Sequence, residues 1–188
     1  MTSLRADAAR NRELLLATAR QAVAAGDLSL QLNELARRAG MGVGTVYRHF
    51  PTRRALLETL AEPAFAAVLD GARTASLHDD PWTGTEILLR TLLVRQLADP
   101  AFAEVIASPA ADDAIPETTA RRDEFDGLAG TVLARARESG ALRPGLTDED
   151  LRHLVCGTAF ALGLGPAPAA RVDAYLRVLL DGVAGGAG

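Results

Sequence analysis

One short segment in the first third of the chain is rich in side chains that can bind nucleic acid. Its hydrogen-bond donors are Thr45, Tyr47, Arg48 and His49. Hydroxyl, phenol, guanidinium and imidazole groups donate to the phosphate oxygens and base edges of DNA. In a helix, Val46 and Phe50 would share one buried face, and the donors would lie on the other sides. The segment therefore predicts a helix that presents polar side chains to DNA.

A second short helix is predicted immediately before this one. Leu32, Leu35, Ala36 and Ala39 recur at helical spacing and give that helix one apolar face. Gly40 follows, and glycine adopts the left-handed conformation that ends many helices. Two short helices joined by a glycine turn form a helix-turn-helix, whose second helix enters the major groove of DNA.

The chain resembles the tetracycline-repressor (TetR) family of bacterial transcription regulators. Three runs in the first third of the chain carry the resemblance: Leu35-Ala36-x-x-Ala39-Gly40, Gly44-Thr45-Val46-Tyr47-x-His49-Phe50 and Pro51-Thr52-Arg53-Arg54-Ala55-Leu56-Leu57. It implies an all-α fold, with a three-helix DNA-binding domain over residues 1–54 and a helical effector-binding and dimerisation domain over residues 55–188. Gln31 departs from the pattern, because the family usually has Ser or Thr there as a helix cap and Gln caps poorly.

The resemblance also implies which residues touch DNA. The positions expected at the sugar-phosphate backbone are Thr45, Tyr47, His49 and Arg53, with Gln31 at a capping position that can also reach a phosphate. The positions expected near the bases are Asn33, Gly42, Val43, Gly44 and Arg48. Val43 suits a thymine methyl group, Arg48 suits guanine and Asn33 suits adenine. Each has a simpler alternative: Tyr47 could support the core, Arg48 could be a solvated charge, Asn33 could bond locally and Gly44 could serve the turn alone.

The charge distribution supports a DNA-binding end. The chain of 188 residues has a net charge of −4, which alone would disfavour a nucleic-acid partner. Residues 1–54, however, hold nine arginines against four acidic residues, whereas residues 55–188 hold eleven arginines against twenty acidic residues. Neutralising phosphates requires local positive charge, and the chain concentrates it on the helix-turn-helix.

Composition argues against several other classes of protein. A hydrophobic content of 48% allows a proper core, and the single cysteine, Cys156, excludes an internal disulfide and favours a reducing cytoplasm. No apolar run approaches the roughly 18 residues of a membrane span, and no nucleotide-binding or hydrolase motif is present. We therefore expect no cofactor, metal or catalytic site.

Two individual residues have a plain structural interpretation. Cys156 is expected to be an inert thiol rather than a redox sensor. His78 and its two acidic neighbours are expected to form a solvated loop rather than a metal site.

Apolar residues repeat every three to four positions along the whole chain, which predicts about nine helices. Pro63 predicts either a kink or the start of a new helix. A capping box is predicted at Thr83 with Glu86, and a capping threonine at Thr147. Residues 108–117, rich in Ala, Asp and Pro, are expected to be the least structured stretch.

The second domain is expected to hold a pocket for a small apolar effector between helices from 55 to 165. The candidate lining residues are Phe65, Leu69, Trp82, Leu89, Leu93, Phe102, Ile106, Phe125, Leu128 and Phe160. Large apolar side chains at helical spacing are also the normal content of a core, so each of these residues has that alternative.

The last two long helices are expected to pair with those of a second subunit. The resemblance implies this homodimer, and the candidate interface residues are Leu151, Val155, Leu176 and Leu179. The alternative is that the subunit's own core uses both apolar stripes. A symmetric dimer would bind double-stranded DNA at an inverted-repeat operator.

The leading hypothesis is thus a homodimeric repressor that a small molecule releases from its operator. An activator, or a regulator controlled by a protein partner, is the second hypothesis. An all-helical enzyme or ligand carrier with a vestigial helix-turn-helix is the third, and the basic N-terminal end together with Tyr47 and His49 argues against it.

Overall fold

The computed structural model describes residues 2–165 and 168–186, and within these ranges it contains nine α-helices. They are α1 (Thr2–Ala24), α2 (Leu32–Arg38), α3 (Val43–His49), α4 (Arg53–Ser76), α5 (Pro81–Ala98), α6 (Pro100–Ala107), α7 (Pro116–Glu138), α8 (Asp148–Gly163) and α9 (Val172–Val183). Two 3-10 turns, Ala110–Asp112 and Pro168–Arg171, complete the described structure, together with one isolated bridge between Leu142 and Ala184. The prediction of an all-α fold is confirmed.

The ends of the helices follow from local sequence signals. Gly40 has a φ of +64°, the left-handed value that ends α2. Thr147 accepts from the backbone N–H of Asp150, and Asp150 accepts from Thr147 in return, which forms a capping box at the start of α8.

The capping box expected at Thr83 and Glu86 is wrong. Asp80 caps α5 instead, because its carboxylate accepts from both the backbone N–H and the hydroxyl of Thr83, at 2.8 and 2.6 Å. Pro81 occupies the first position of the helix, where a missing N–H costs nothing. The helix therefore begins before the position that Thr83 was expected to cap. Gly84 then allows close packing, since a Cβ there would lie 2.8 Å from the carbonyl oxygen of Ala75 in α4.

Helix α4 joins the DNA-binding end to the rest of the molecule. It begins at Arg53, so the expected boundary between residues 54 and 55 falls in its first turn. The helix continues through Pro63, which excludes the start of a new helix there. Its apolar residues are buried against α5, α6 and α7, and we call these three helices, α8, α9 and the packed part of α4 the body. None of the described helices combines the length and hydropathy that a membrane span needs.

A buried charge network connects the start of α4 to the body. The carboxylate of Asp113 accepts hydrogen bonds from Arg54 in α4, at 2.7 Å, and from two nitrogens of Arg122 in α7, each at 3.1 Å. Arg54 also donates to Glu58 at 2.6 Å, and Arg122 donates to the carbonyl oxygen of Val105 at 2.9 Å. The carboxylates of Asp113 and Glu58 are both fully buried. We call these four charged residues the Asp113 network.

Glu58 completes the network by holding the chain that enters α7. Its two carboxylate oxygens accept from the backbone N–H groups of Ala114 and Ile115, each at 2.8 Å. These N–H groups come just before the helix, where no helical carbonyl is in reach. The stretch 108–117 was expected to be the least structured, but its end is fixed by these bonds.

The network sets the ionisation of Asp113. Burial opposes the charge, but the hydrogen bonds and positive charges of Arg122 and Arg54 outweigh it and lower the pKa of this carboxyl. Because the pKa is lower in the folded state, the associated stability is present above about pH 4, the ordinary Asp pKa. It is lost as the pH falls through the folded value.

We expect Asp113→Asn to lower the free energy of unfolding by about 3–5 kcal/mol at pH 7, because it leaves two arginines without their shared buried carboxylate. Urea denaturation at several pH values measures this, and the difference from the parent protein should shrink below about pH 4. Asp112→Asn is the matched control, since the neighbouring Asp112 is exposed and its loss should change stability by less than about 0.5 kcal/mol. Equal stability of the two variants at pH 7 would show that the network is not structural.

Candidate DNA-binding surface

The helix-turn-helix is held by a small apolar core behind it. Val46 and Phe50, at and just after α3, are buried against Leu35 and Ala36 of α2 and against the apolar face of α1. The guanidinium of Arg12 in α1 lies 5.3 Å from the centre of the Phe50 ring, a cation–π distance. This core fixes which side of α3 faces solvent.

The solvent side of α3 carries the residues that the sequence singled out. Val43 and Tyr47 are each 45% exposed, although both are large and apolar or aromatic. Gly42, Gly44 and Arg48 are exposed as well, and Thr45 and His49 are half-buried beside them. Tyr47 is therefore not a core residue.

Arg48 is available for recognition. Its guanidinium has no hydrogen-bond or ion-pair partner in the part of the chain that the structure describes. By contrast, Arg37 and Arg38 both donate to Glu34, and these bonds lower the pKa of Glu34 to about 2. Positive charge on α2 is thus matched locally, whereas the charge of Arg48 on α3 is not.

A shallow cleft of about 440 Å³ lies between α2, α3 and the start of α4. It brings together Gln31, Asn33, Tyr47, Thr52 and Arg53, which are far apart in sequence. Gln31 stands at the N-cap position of α2 and makes no side-chain cap bond, as its residue type predicts. Its amide and that of Asn33 are both exposed.

Arg53 is bonded to other groups of the protein, although its side chain is 38% exposed. Its Nε donates to the carbonyl oxygen of Ser29 at 2.8 Å, and its Nη1 and Nη2 donate to the two carboxylate oxygens of Glu104 at 2.7 and 2.8 Å. It also donates to the carbonyl of Leu28, so it fixes the turn in which Leu30 has a φ of +43°. A phosphate contact by Arg53 stays a prediction, and it requires the Glu104 pair to open.

The body contains a cleft of about 410 Å³ between α5, α7, α8 and the turn at 110–112, which we call the body cleft. Of the residues expected to line an effector pocket, Leu89 and Phe125 line it. Five others, Phe65, Leu69, Leu93, Phe102 and Ile106, are buried in the core and do not line this cleft. Leu128 packs against the core outside this lining, Trp82 lines another groove near α9, and Phe160 is 71% exposed. An effector contact by any of these eight residues stays a prediction.

The expected interface residues are also buried within the subunit. Leu151, Val155, Leu176 and Leu179 are at most 9% exposed and belong to the protomer's core, so a partner contact by these four stays a prediction. Apolar side chains exposed on or just after the same helices are Leu154, Phe160, Leu164, Tyr175 and Val178. Leu154, Tyr175 and Val178 line one groove, and we call these three the exposed apolar row. Sequence periodicity alone did not separate the buried apolar residues from the exposed ones.

The sequence contains candidates for two other kinds of site, a metal site and a reactive cysteine. Among the described residues, no group of three or more His, Cys, Asp or Glu side chains is placed to hold a metal ion. Partial burial raises the pKa of the Cys156 thiol, which disfavours the reactive thiolate.

Two family descriptions match the chain. The bacterial regulatory proteins of the tetR family match residues 14–60, which contain the helix-turn-helix. The C-terminal domain of SbtR-like transcriptional regulators matches residues 80–185, more than half of the chain. A comparison with curated proteins gives no match.

Solved structures of regulators share this fold. The TetR transcriptional regulator SCO0520 from Streptomyces coelicolor is 25% identical, with a TM-score of 0.56, over 94% of this chain and 99% of its own. The ketosteroid transcriptional regulator KstR2 of Mycobacterium tuberculosis is 20% identical, with a TM-score of 0.63, over 92% and 94%. The fatty acid degradation regulator FadR from Bacillus halodurans is 19% identical, with a TM-score of 0.56, over 92% and 95%.

We expect Arg48→Ala and Tyr47→Phe to weaken DNA binding in different ways. Arg48→Ala should cost about 1–3 kcal/mol at one base pair and relax the preference there. Tyr47→Phe removes one phosphate donor and should weaken binding by about 1 kcal/mol on every sequence alike. Affinities for a set of operators with single base-pair changes separate the two effects. A change in base preference caused by Tyr47→Phe would contradict the assignment.

We expect Glu104→Gln to tighten DNA binding, because it releases Arg53 from its ion pair. The slope of log affinity against log salt should steepen by about 0.9 if Arg53 then neutralises one phosphate. Glu117→Gln, which removes an exposed acid from the start of α7, controls for net charge. In an Arg53→Gln background, Glu104→Gln should have no more effect than this control, and an undiminished effect there would exclude Arg53 as the group released.

Proposed function

Because the chain belongs to the tetR family of bacterial DNA-binding transcriptional regulators, we propose that it is a homodimeric repressor released from its operator by a small-molecule effector. The observation that carries the DNA-binding part of the proposal is the solvent face of α3, where Val43 and Tyr47 are exposed and Arg48 has no partner in the described part of the chain. Such a face contributes both base contacts and phosphate contacts.

The exposed apolar row on α8 and α9 supports the homodimer. Leu154, Tyr175 and Val178 surround a groove of about 630 Å³ between the two helices, and Val178 is 74% exposed. Contiguous exposed apolar surface of this kind marks an interaction site in a soluble protein. A second copy supplies the complementary row through a two-fold axis, and its two α3 helices then face half-sites about 34–36 Å apart, or a multiple of that distance.

The Asp113 network supports control by an effector. Arg122 lines the body cleft, and its guanidinium donates a hydrogen bond to Asp113. The same carboxylate accepts a hydrogen bond from Arg54, which follows Arg53 at the start of α4. A ligand that moves Arg122 therefore acts on the helix that follows the helix-turn-helix. The resulting change in the separation of the two α3 helices releases DNA, and the coupling is reciprocal between ligand and operator.

Repression is tested by selecting the preferred operator from random DNA and placing it within a reporter promoter. We expect an inverted repeat, and we expect the protein to lower transcription by covering the promoter. A direct repeat or a single half-site would contradict the symmetric dimer, and increased transcription would identify an activator instead.

We expect Val178→Asp to convert the dimer to a monomer, because it places a charge in the middle of the apolar row. Sedimentation at micromolar concentration measures the change, and operator affinity should fall with it. Leu77→Asp is the matched control, since Leu77 is 83% exposed at the end of α4, away from α8 and α9. A monomeric parent protein, or dissociation of both variants, would exclude this interface.

A further inference from the structure

The body cleft has an apolar wall and five charged lining residues. Its apolar wall is formed by Leu88, Leu89, Leu92, Phe125, Ala129 and Leu133. Its charged lining residues are Arg122, which is buried, and Asp126, Asp148, Glu149 and Arg152. A cleft of about 410 Å³ with this lining has the size and character of a small-molecule site, in which a few polar groups fix the orientation of an apolar ligand. The charged lining residues thus decide which ligands it accepts.

Four of these five charged side chains already have partners in the protein. Arg122 belongs to the Asp113 network. Asp148 accepts a hydrogen bond from Arg137, and Glu149 lies 3.3 Å from Nη2 of Arg152. Arg152 also reaches toward the carbonyl oxygen of Ile106, at 3.5 Å. The two arginines are therefore matched by carboxylates before any ligand arrives.

Asp126 is the exception. Its carboxylate has no hydrogen bond or ion pair within residues 2–165 and 168–186. The residue is exposed at the edge of the cleft, and partial desolvation by the neighbouring apolar side chains raises its pKa, although Arg122 and Arg152 oppose this from a distance and Asp123 and Asp148 add to it. A partly desolvated carboxylate without a partner gains strongly from a positive charge placed next to it.

We propose that the body cleft binds an amphipathic cation, whose ammonium group pairs with Asp126 and whose apolar tail lies along the wall formed by α5 and α7. This inference rests on the proposed function, because it names the chemical class of the effector. An anion in the same place would meet three carboxylates, and it would have to displace Glu149 to reach Arg152.

The test uses three probes with one tail and different head groups: octylammonium, octanol and octanoate. Calorimetric titration of the full chain should give octylammonium an affinity about fivefold above that of octanol, with octanoate the weakest, because one solvated ion pair contributes at most roughly a factor of five. Asp126→Asn should reduce the affinity for octylammonium to that for octanol and leave octanol unchanged. Asp123→Asn is the matched control on the same helix; Asp123 is exposed and does not line the cleft.

Several results would overturn the proposal. One is equal affinity for the three probes, and another is a preference for octylammonium that survives in Asp126→Asn. A third is tightest binding of octanoate that Arg152→Gln abolishes, which would make the cleft an anion site. Binding of none of the probes would show that the cleft is not a site for amphipathic ligands.

A second measurement separates this inference from effector-controlled release. Octylammonium is added to the complex of the protein with its selected operator. Weaker DNA binding in the parent protein but not in Asp126→Asn supports both ideas. Binding of octylammonium that depends on Asp126 but leaves operator affinity unchanged supports the cation site and contradicts its role in release.

Discussion

The buried carboxylate of Asp113 is the constraint on which the arrangement of the molecule depends. It lies between Arg54 at the start of α4 and Arg122 in α7, and its own side chain is fully buried, so its loss would leave both guanidinium groups without the carboxylate that they share. Glu58 adds two backbone bonds that fix the entry to α7. Breaking any of these bonds leaves a buried charge without one of its partners. The network therefore fixes the position of the DNA-binding end relative to the body.

This constraint explains why the arginines of the DNA-binding end have different roles. Arg54 is committed to the network and Arg53 to Glu104 and the turn before α2, so these two charges bind the DNA-binding end to the body. Arg48 on α3 has no ion-pair partner among the residues that the structure describes. The excess of positive charge seen in the sequence is therefore less available than a count implies, and the proposed base recognition would depend on a small number of side chains on α3.

Local signals in the sequence predicted most of the elements, because their cause lies within a few residues. Gly40 ends α2, and Thr147 with Asp150 begins α8, as their residue types require. Pairings across more than fifty residues, such as Arg53 with Glu104 and Arg54 with Asp113, have no local signal. Asp113 itself lies in a stretch whose composition suggested a loop, and only the packing of three helices around it makes it a structural residue.

Helices α8 and α9 show a second feature that could not be predicted from the sequence. A helical repeat identifies apolar residues, but two adjacent apolar rows on one helix satisfy the same repeat, and the sequence does not say which row the subunit's own core takes. The structure buries Leu151 and Leu176 and exposes Leu154 and Val178. Since burying apolar surface is favourable in water, covering the second row would stabilise the complex with whatever covers it. In the dimer that we propose, the interface and the subunit's core therefore use different residues of the same helices, so a change in the exposed row alters assembly without removing the core that holds α3 and the body cleft in place.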